Sequence, residues 1–216
     1  MPRRQIAMIK NSLNVYSNRL KFLQSARRCV PNRLLLGLGA NISGTWGTPP
    51  QTLERAMAEL AAAGLRPLCR SRLFQTKPLG PGHQPSFVNA ALLVAATLPP
   101  AALLRLVKGL ERKAGRRLGQ TWGPRPLDID ILDFGGRRLG WPPPRQRRGR
   151  LILPHPEAHR RAFVLLPLAD IAPAWRHPVL GATPARLIRR LGVRLAPEIT
   201  AKPLISCPAH AKNHER

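Results

Sequence analysis

The chain has 216 residues, 24 of them proline, with 44% apolar and 5% aromatic side chains and a formal charge of +26. That length allows a sizeable core in one domain with extensions, and no apolar run approaches the roughly 20 residues of a membrane span. Cys29, Cys69 and Cys207 are odd in number and lack a Cys-x-x-Cys pair, which argues against a disulfide framework or zinc ribbon and for a reducing, cytoplasmic setting.

The charge is unevenly spread. Residues 1–33 carry eight Lys/Arg and residues 137–150 six Arg, both stretches without an acid, and the first acidic residue is Glu54. A basic excess attracts nucleic acid or nucleoside triphosphates, and composition does not choose between them. The Arg-rich extension 1–32 has the composition of an organelle transit peptide, but an upstream start codon gives the same appearance and the cytoplasmic reading is preferred.

Arg33–Gly39 is an apolar run ended by small residues and reads as a central strand. Thr48 followed by Pro49 opens a helix over 49–63, with Leu53, Ala56, Met57 and Leu60 on one face and Gly64 as its stop. Arg66–Gln75 and Phe87–Thr97 read as strands, separated by a loop whose prolines and glycines exclude regular structure. Pro99 and Pro100 start a second helix to about Ala114. Leu127–Phe134 is the fourth strand, ended by Gly135 and Gly136. The order strand, helix, strand, strand, helix, strand predicts an α+β ferredoxin-like sandwich, an antiparallel sheet with the helices on one face. Short helices are expected over 162–171 and 183–191, and a frayed tail from about 193. The expected layout is thus a basic extension 1–32, a domain over 33–192 and a tail over 193–216.

Alternation along a strand puts Asp128 and Asp130 on one face while Leu127, Ile129 and Ile131 enter the core. Two adjacent carboxylates repel, and a divalent cation relieves the repulsion; magnesium, which keeps water and phosphate ligands, suits a two-carboxylate site. A solvated strand face gives the same pattern. Arg116, Arg117 and Arg125 lie nearby in sequence and favour a phosphate clamp, since guanidinium groups pair with phosphate oxygens in a planar, bidentate way. Gly37-Leu-Gly39 lacks the third glycine of a dinucleotide fingerprint. His155 and His159 have zinc-like spacing, but Pro156 intervenes and a third ligand is missing.

The segment Trp122-Gly-Pro-Arg125-Pro-Leu-Asp128-Ile-Asp130-Ile-Leu132 resembles the signature of the 6-hydroxymethyl-7,8-dihydropterin pyrophosphokinase family. Similar segments follow the family order: Leu36-Gly-Leu-Gly-Ala-Asn41, Thr76-Lys-Pro-Leu-Gly-Pro81, Gln84-Pro-Ser-Phe87-Val-Asn89, Leu153-Pro-His155-Pro and Arg161-Ala-Phe163. The resemblance implies a ferredoxin-like fold with long mobile loops over the site. It also implies transfer of diphosphate from ATP to the pterin, in folate biosynthesis. By position it implies two magnesium ions on Asp128 and Asp130, and charge stabilisation by Arg116 and Arg125. Arg150, His155 and Arg161 would contact ATP phosphates, with Glu111, Trp122 and Ile131 at the nucleotide. Thr76, Pro78, Leu79, Phe87, Asn89 and Phe163 would form the pterin slot, two rings for the faces and an amide for the edge. A monomer with ATP and a pterin as its ligands is expected. Leu118 and Thr121 depart from the family pattern, where basic residues are usual, and Phe87 stands where tyrosine is frequent. A basic nucleic-acid-binding module is the rival, but the aromatic strand pattern of such modules is missing. The other rival is a family member that only binds ligands.

Overall fold

The computed structural model describes residues 31–78, 83–116, 123–143, 151–192 and 201–202. Strand β1 (Asn32–Ala40) leads to α1 (Pro49–Ala62), then β2 (Arg66–Arg70), β3 (Leu73–Thr76), β4 (Phe87–Ala96), α2 (Pro100–Lys113) and β5 (Asp128–Phe134). A 3-10 turn (Ala158–Arg160), α3 (Ala162–Ile171), α4 (Pro184–Arg190) and the two-residue β6 (Ala201–Lys202) follow. The sheet runs β5, β1, β4, β3, β6, with β2 also paired to β4. Counting β2 and β3 as one interrupted strand, the order is fourth, first, third, second, the ferredoxin-like arrangement.

Local chemistry accounts for the boundaries. Thr48 N donates to Gln51 Oε1 at 2.9 Å at the start of α1, half of a capping box. Gly64, with φ of +89°, ends that helix in the left-handed conformation. The single strand expected over 66–75 is broken at Ser71 and Arg72, where Ser71 Oγ accepts from Ala91 N at 2.8 Å in place of a backbone oxygen. Arg72 turns outward to Asp170 of α3, its Nη2 2.9 Å from the carboxylate. Phase along β1 decides the layers: Leu34, Leu36, Leu38 and Ala40 are buried with Leu53, Leu60, Leu103 and Val107 of α1 and α2.

The opposite face corrects the sequence expectation that helices lie on one side only. Leu35 and Leu132 pack there with Val164 and Leu168 of α3, while Leu165 of the same helix packs on Leu187 of α4. Helix α3 is therefore apolar on two sides because it lies between the sheet and α4. Cys69 on β2 is buried, and the other cysteines lie outside the described residues. The tail adds β6 to the β3 edge, Phe74 opposite Ala201, where fraying was expected; the rest of that tail and the extension 1–30 lie outside the described residues.

His177 is fully buried, with Trp141, His159 and Trp175 edge-on at 6.1, 5.6 and 5.7 Å between ring centroids. Its Nδ1 accepts from Val179 N and Leu180 N, both at 3.2 Å, so the ring is neutral with its proton on Nε2. Burial first, then His159 and Arg138, push its pKa down to about 4. A histidine held neutral stabilises the fold fully above its unfolded value near 6.5 and loses that contribution as pH falls toward about 4. His177→Asn, which offers an oxygen to the same amides and does not titrate, should cost stability at pH 7.5. In thermal unfolding scans its gap from the parent should narrow steadily toward pH 4.

Candidate active site

The register of β5 on β1 places Asp128 opposite Gly39 and Asp130 opposite Gly37. Ile129 and Ile131 are buried on the other side, as the alternation predicted. Bare glycines beside the carboxylates leave the sheet surface open. A methyl group on Gly39 would stand 2.9 Å from Asn89 Oδ1, and one on Gly37 would touch Leu132 at 3.4 Å. Asn89, opposite Gly39 on β4, donates from Nδ2 to Thr76 Oγ1 at 2.8 Å.

A cavity of about 510 Å³ rises from this floor, lined by both aspartates, Arg125 and Arg161 and by Thr76, Phe87, Asn89 and Phe163. The size suits a drug-sized or nucleobase-sized ligand. A second cavity of about 190 Å³, with Leu104, Ile131, Leu151 and Ile152 as apolar walls and Lys108 and His155 as polar groups, also reaches Asp130. The structure thus brings the four described slot residues other than Pro78 together in one cavity, and Ile131 and His155 in the other. Asp130 belongs to both. Pro78 and Glu111 line neither. Leu79, Trp122 and Arg150 lie outside the described residues, as do Arg117, Leu118 and Thr121.

The two carboxylates live differently. Arg116 Nη1 grips Asp128 Oδ1 in a very short contact, and Arg125 Nη1 is 2.8 Å from Asp128 Oδ2. Burial raises the Asp128 pKa, but Arg116 and Arg125 outweigh it and hold the carboxyl below its ordinary range. Among the described residues, the basic groups nearest Asp130 are His155 Nε2 at 3.8 Å and Arg161 Nη1 at 3.9 Å, beyond hydrogen-bond range. Burial, and then the Asp128 charge, push its pKa up. His155 is pushed the other way by burial; its Nδ1 accepts from Glu157 N at 3.2 Å, which leaves the proton on Nε2 facing Asp130.

Each cation has its own anchor. Arg116 Nη1 is 2.9 Å from Glu111 Oε2. That carboxylate also takes Lys108 Nζ at 2.7 Å and Ile129 N at 2.9 Å, so Glu111, buried on α2, ties the helix to β5 and aims Arg116. Its pKa is raised, by burial first, with Lys108 opposing. Asn41 performs the same service for Arg125. Its Oδ1 accepts from Arg125 N at 2.8 Å and its Nδ2 donates to Gln84 Oε1 at 3.2 Å and Pro85 O at 3.3 Å. Sequence reasoning placed Asn41 in a family-like segment without a role. The available signal was an amide directly after a buried strand, a group that must find partners. Across the Arg161 to Phe163 pair the guanidinium carbon is 5.8 Å from the ring centroid, close enough for a cation–π contact.

Among the described residues, no cluster of three His, Cys, Asp or Glu side chains could hold a metal ion. A site of two carboxylates, one of them under-compensated and facing a cavity, fits instead a hard cation that brings water and phosphate oxygens with it. Fixed guanidinium groups around such a pair define an enzyme class that handles phosphate esters on a ferredoxin-like sheet.

Comparison with known proteins narrows the class. The family model described as 7,8-dihydro-6-hydroxymethylpterin-pyrophosphokinase matches residues 35–173. A Synechocystis 2-amino-4-hydroxy-6-hydroxymethyldihydropteridine pyrophosphokinase is 37% identical over 158 residues, covering 73% of this chain and 75% of its own. The enzyme of that name from Pseudomonas aeruginosa is 38% identical over 170 residues, 74% of this chain and 96% of its own. The chain belongs to this pyrophosphokinase family. Crystal structures of Plasmodium falciparum HPPK-DHPS share the fold, one with a TM-score of 0.57 at 17% identity over 74% of this chain, which spans 45% of that longer one.

The opposite shifts of the aspartates predict opposite stability effects. Asp130, raised in the fold, costs stability at neutral pH, whereas lowered Asp128 contributes stability that is lost in acid. Without ligands at pH 7, Asp130→Asn should raise the unfolding midpoint and Asp128→Asn, which strands Arg116 and Arg125, should lower it by several degrees. Differential scanning calorimetry distinguishes the two.

Proposed function

We propose that this chain transfers the diphosphoryl group of ATP to 6-hydroxymethyl-7,8-dihydropterin, releasing AMP and contributing to folate biosynthesis. The observation that carries the reading is the meeting of two differently built cavities at one under-compensated carboxylate, Asp130. A flat heterocycle fits the larger cavity, with Phe87 and Phe163 for its faces and Asn89 for its edge. The nucleotide base fits the smaller one, against Leu104, Ile131, Leu151 and Ile152, with its phosphates running past His155 toward Asp130.

In the reaction the pterin hydroxymethyl oxygen bonds to the β-phosphorus while the bond from that phosphorus to the α,β-bridging oxygen breaks. AMP leaves with the bridging oxygen, and the hydroxyl proton goes to solvent. The substrate's own hydroxyl is the nucleophile, so the chain supplies position and charge. Arg116 and Arg125 exchange the Asp128 carboxylate for phosphate oxygens, Glu111 and Asn41 keeping them aimed. His155 donates from Nε2 and Arg161 adds charge from the α3 side. Magnesium ions, two as in the family pattern, would be held by Asp128 and Asp130 and would neutralise phosphate charge when bound.

The loops proposed to close the site are 43–49, 76–86 and 137–150. The first is pinned by Thr45 N to Ala114 O at 3.2 Å and by a Gly44 to Gly47 turn; much of the other two lies outside the described residues. Closure of the latter two over bound substrates excludes water that would hydrolyse ATP. Among the described residues no helix is long and apolar enough to cross a membrane. We place the chain in the cytoplasm, as a monomer.

Incubation with ATP, magnesium and 6-hydroxymethyl-7,8-dihydropterin should release one AMP for each pterin diphosphate formed, and none without the pterin. Asp128→Asn and Asp130→Asn should each lower kcat by at least ~100-fold with the circular dichroism spectrum unchanged. Pterin-independent AMP release, or near-normal turnover by either variant, would overturn the reading.

A further inference from the structure

The acceptor cavity contains a cation that the mechanism has not used. Arg160, the last residue of the 3-10 turn, lines it beside Arg161. Its Nε donates to His159 Nε2 at 3.1 Å, and the described residues give its two terminal nitrogens no partner. The anchor is itself braced. Because His159 Nε2 accepts, the proton of the neutral ring resides on Nδ1, which is buried. The ring meets His177 edge to face at 81° and 5.6 Å, and His177 is fixed by the Val179 and Leu180 amides. Burial, then Arg160, push the His159 pKa down, which keeps Nε2 an acceptor. The exposed Arg160 side chain is thus tethered by its Nε, and its terminal nitrogens remain available to a bidentate oxyanion.

On the proposed reading the pterin is neutral, so a fixed cation on its side of the dyad has no anion to meet until the diphosphoryl group extends across. Arg125 is already engaged by Asp128, and Arg161 lies 3.9 Å from Asp130, so both are committed near the dyad. Among the described residues Arg160 has no such carboxylate contact. We propose that Arg160 is a further phosphate-binding residue, receiving the terminal phosphate of the transferring diphosphoryl group from the acceptor side, with His159 as its positioning residue. The inference rests on the functional reading above and extends it to a residue outside the signature.

Calorimetric titration of the full chain with magnesium separates the two claims. The probes are α,β-methylene-ATP, which holds the terminal phosphates, AMP, which lacks them, and the pterin. Arg160→Gln should weaken α,β-methylene-ATP by ~10-fold or more and change AMP and pterin by less than ~2-fold. Arg160→Lys should restore part of the loss, and His159→Phe should show a smaller loss of the same selectivity. Unchanged α,β-methylene-ATP affinity in Arg160→Gln, or an equal loss for all three probes, would overturn the assignment. Failure of the parent chain to bind both α,β-methylene-ATP and the pterin would instead overturn the functional reading, and this inference with it.

Discussion

Asp128 and Asp130 stand two residues apart on one face of β5, and neither can be held there without positive charge from elsewhere in the chain. The fold supplies it from three directions. Arg116 comes from the end of α2, Arg125 from the approach to β5, and Arg161 with His155 from the segment ahead of α3. None of these positions is independent. Glu111 couples Arg116 to the backbone of β5 at Ile129, and Asn41 couples Arg125 to the end of β1 and to the loop before β4. The sheet order is what allows this, because β5 and β4 flank β1 and bring Gly37 and Gly39 between the acids and the Asn89 amide.

Compensation is uneven by construction. Asp128 is over-supplied by two guanidinium groups, while among the described residues Asp130 has only distant partners and is costly in the unliganded fold. This is the familiar conflict between stability and a functional site, and here its location is informative: the under-compensated carboxylate is the one shared by both cavities. An incoming polyphosphate with its cations would relieve Asp130 and give the arginines new partners in one event. Binding energy from the nucleotide is then available to organise the site in which the second substrate reacts.

Much of this was legible in the sequence because it is carried by local patterns. Alternation around Ile129 placed the aspartates, the proline and glycine signals placed α1 and α2, and the order of elements predicted the sheet. The interruption at Ser71 was not legible, since it depends on a hydroxyl replacing a backbone acceptor across to Ala91. Nor was the covering of the second face, because the apolar run of α3 does not reveal which layer will bury it. Within the site, residue types at signature positions could be named, but their anchors could not. Asn41, Glu111 and His159 act through partners distant in sequence or through a neighbour's geometry, and such couplings exist only once the chain has folded. His177 was silent for the same reason, an isolated histidine in a proline-rich stretch whose ring is boxed by residues from three segments.

The account stands on a diphosphoryl group crossing from one cavity to the other as a unit. ATP labelled at its β-phosphorus tests this directly: after reaction with the pterin and rapid quenching, the products are separated and the label located. The account predicts that the label leaves the nucleotide completely and is recovered in the pterin diphosphate, with AMP unlabelled. Label retained in ADP would show single phosphoryl transfer and contradict it.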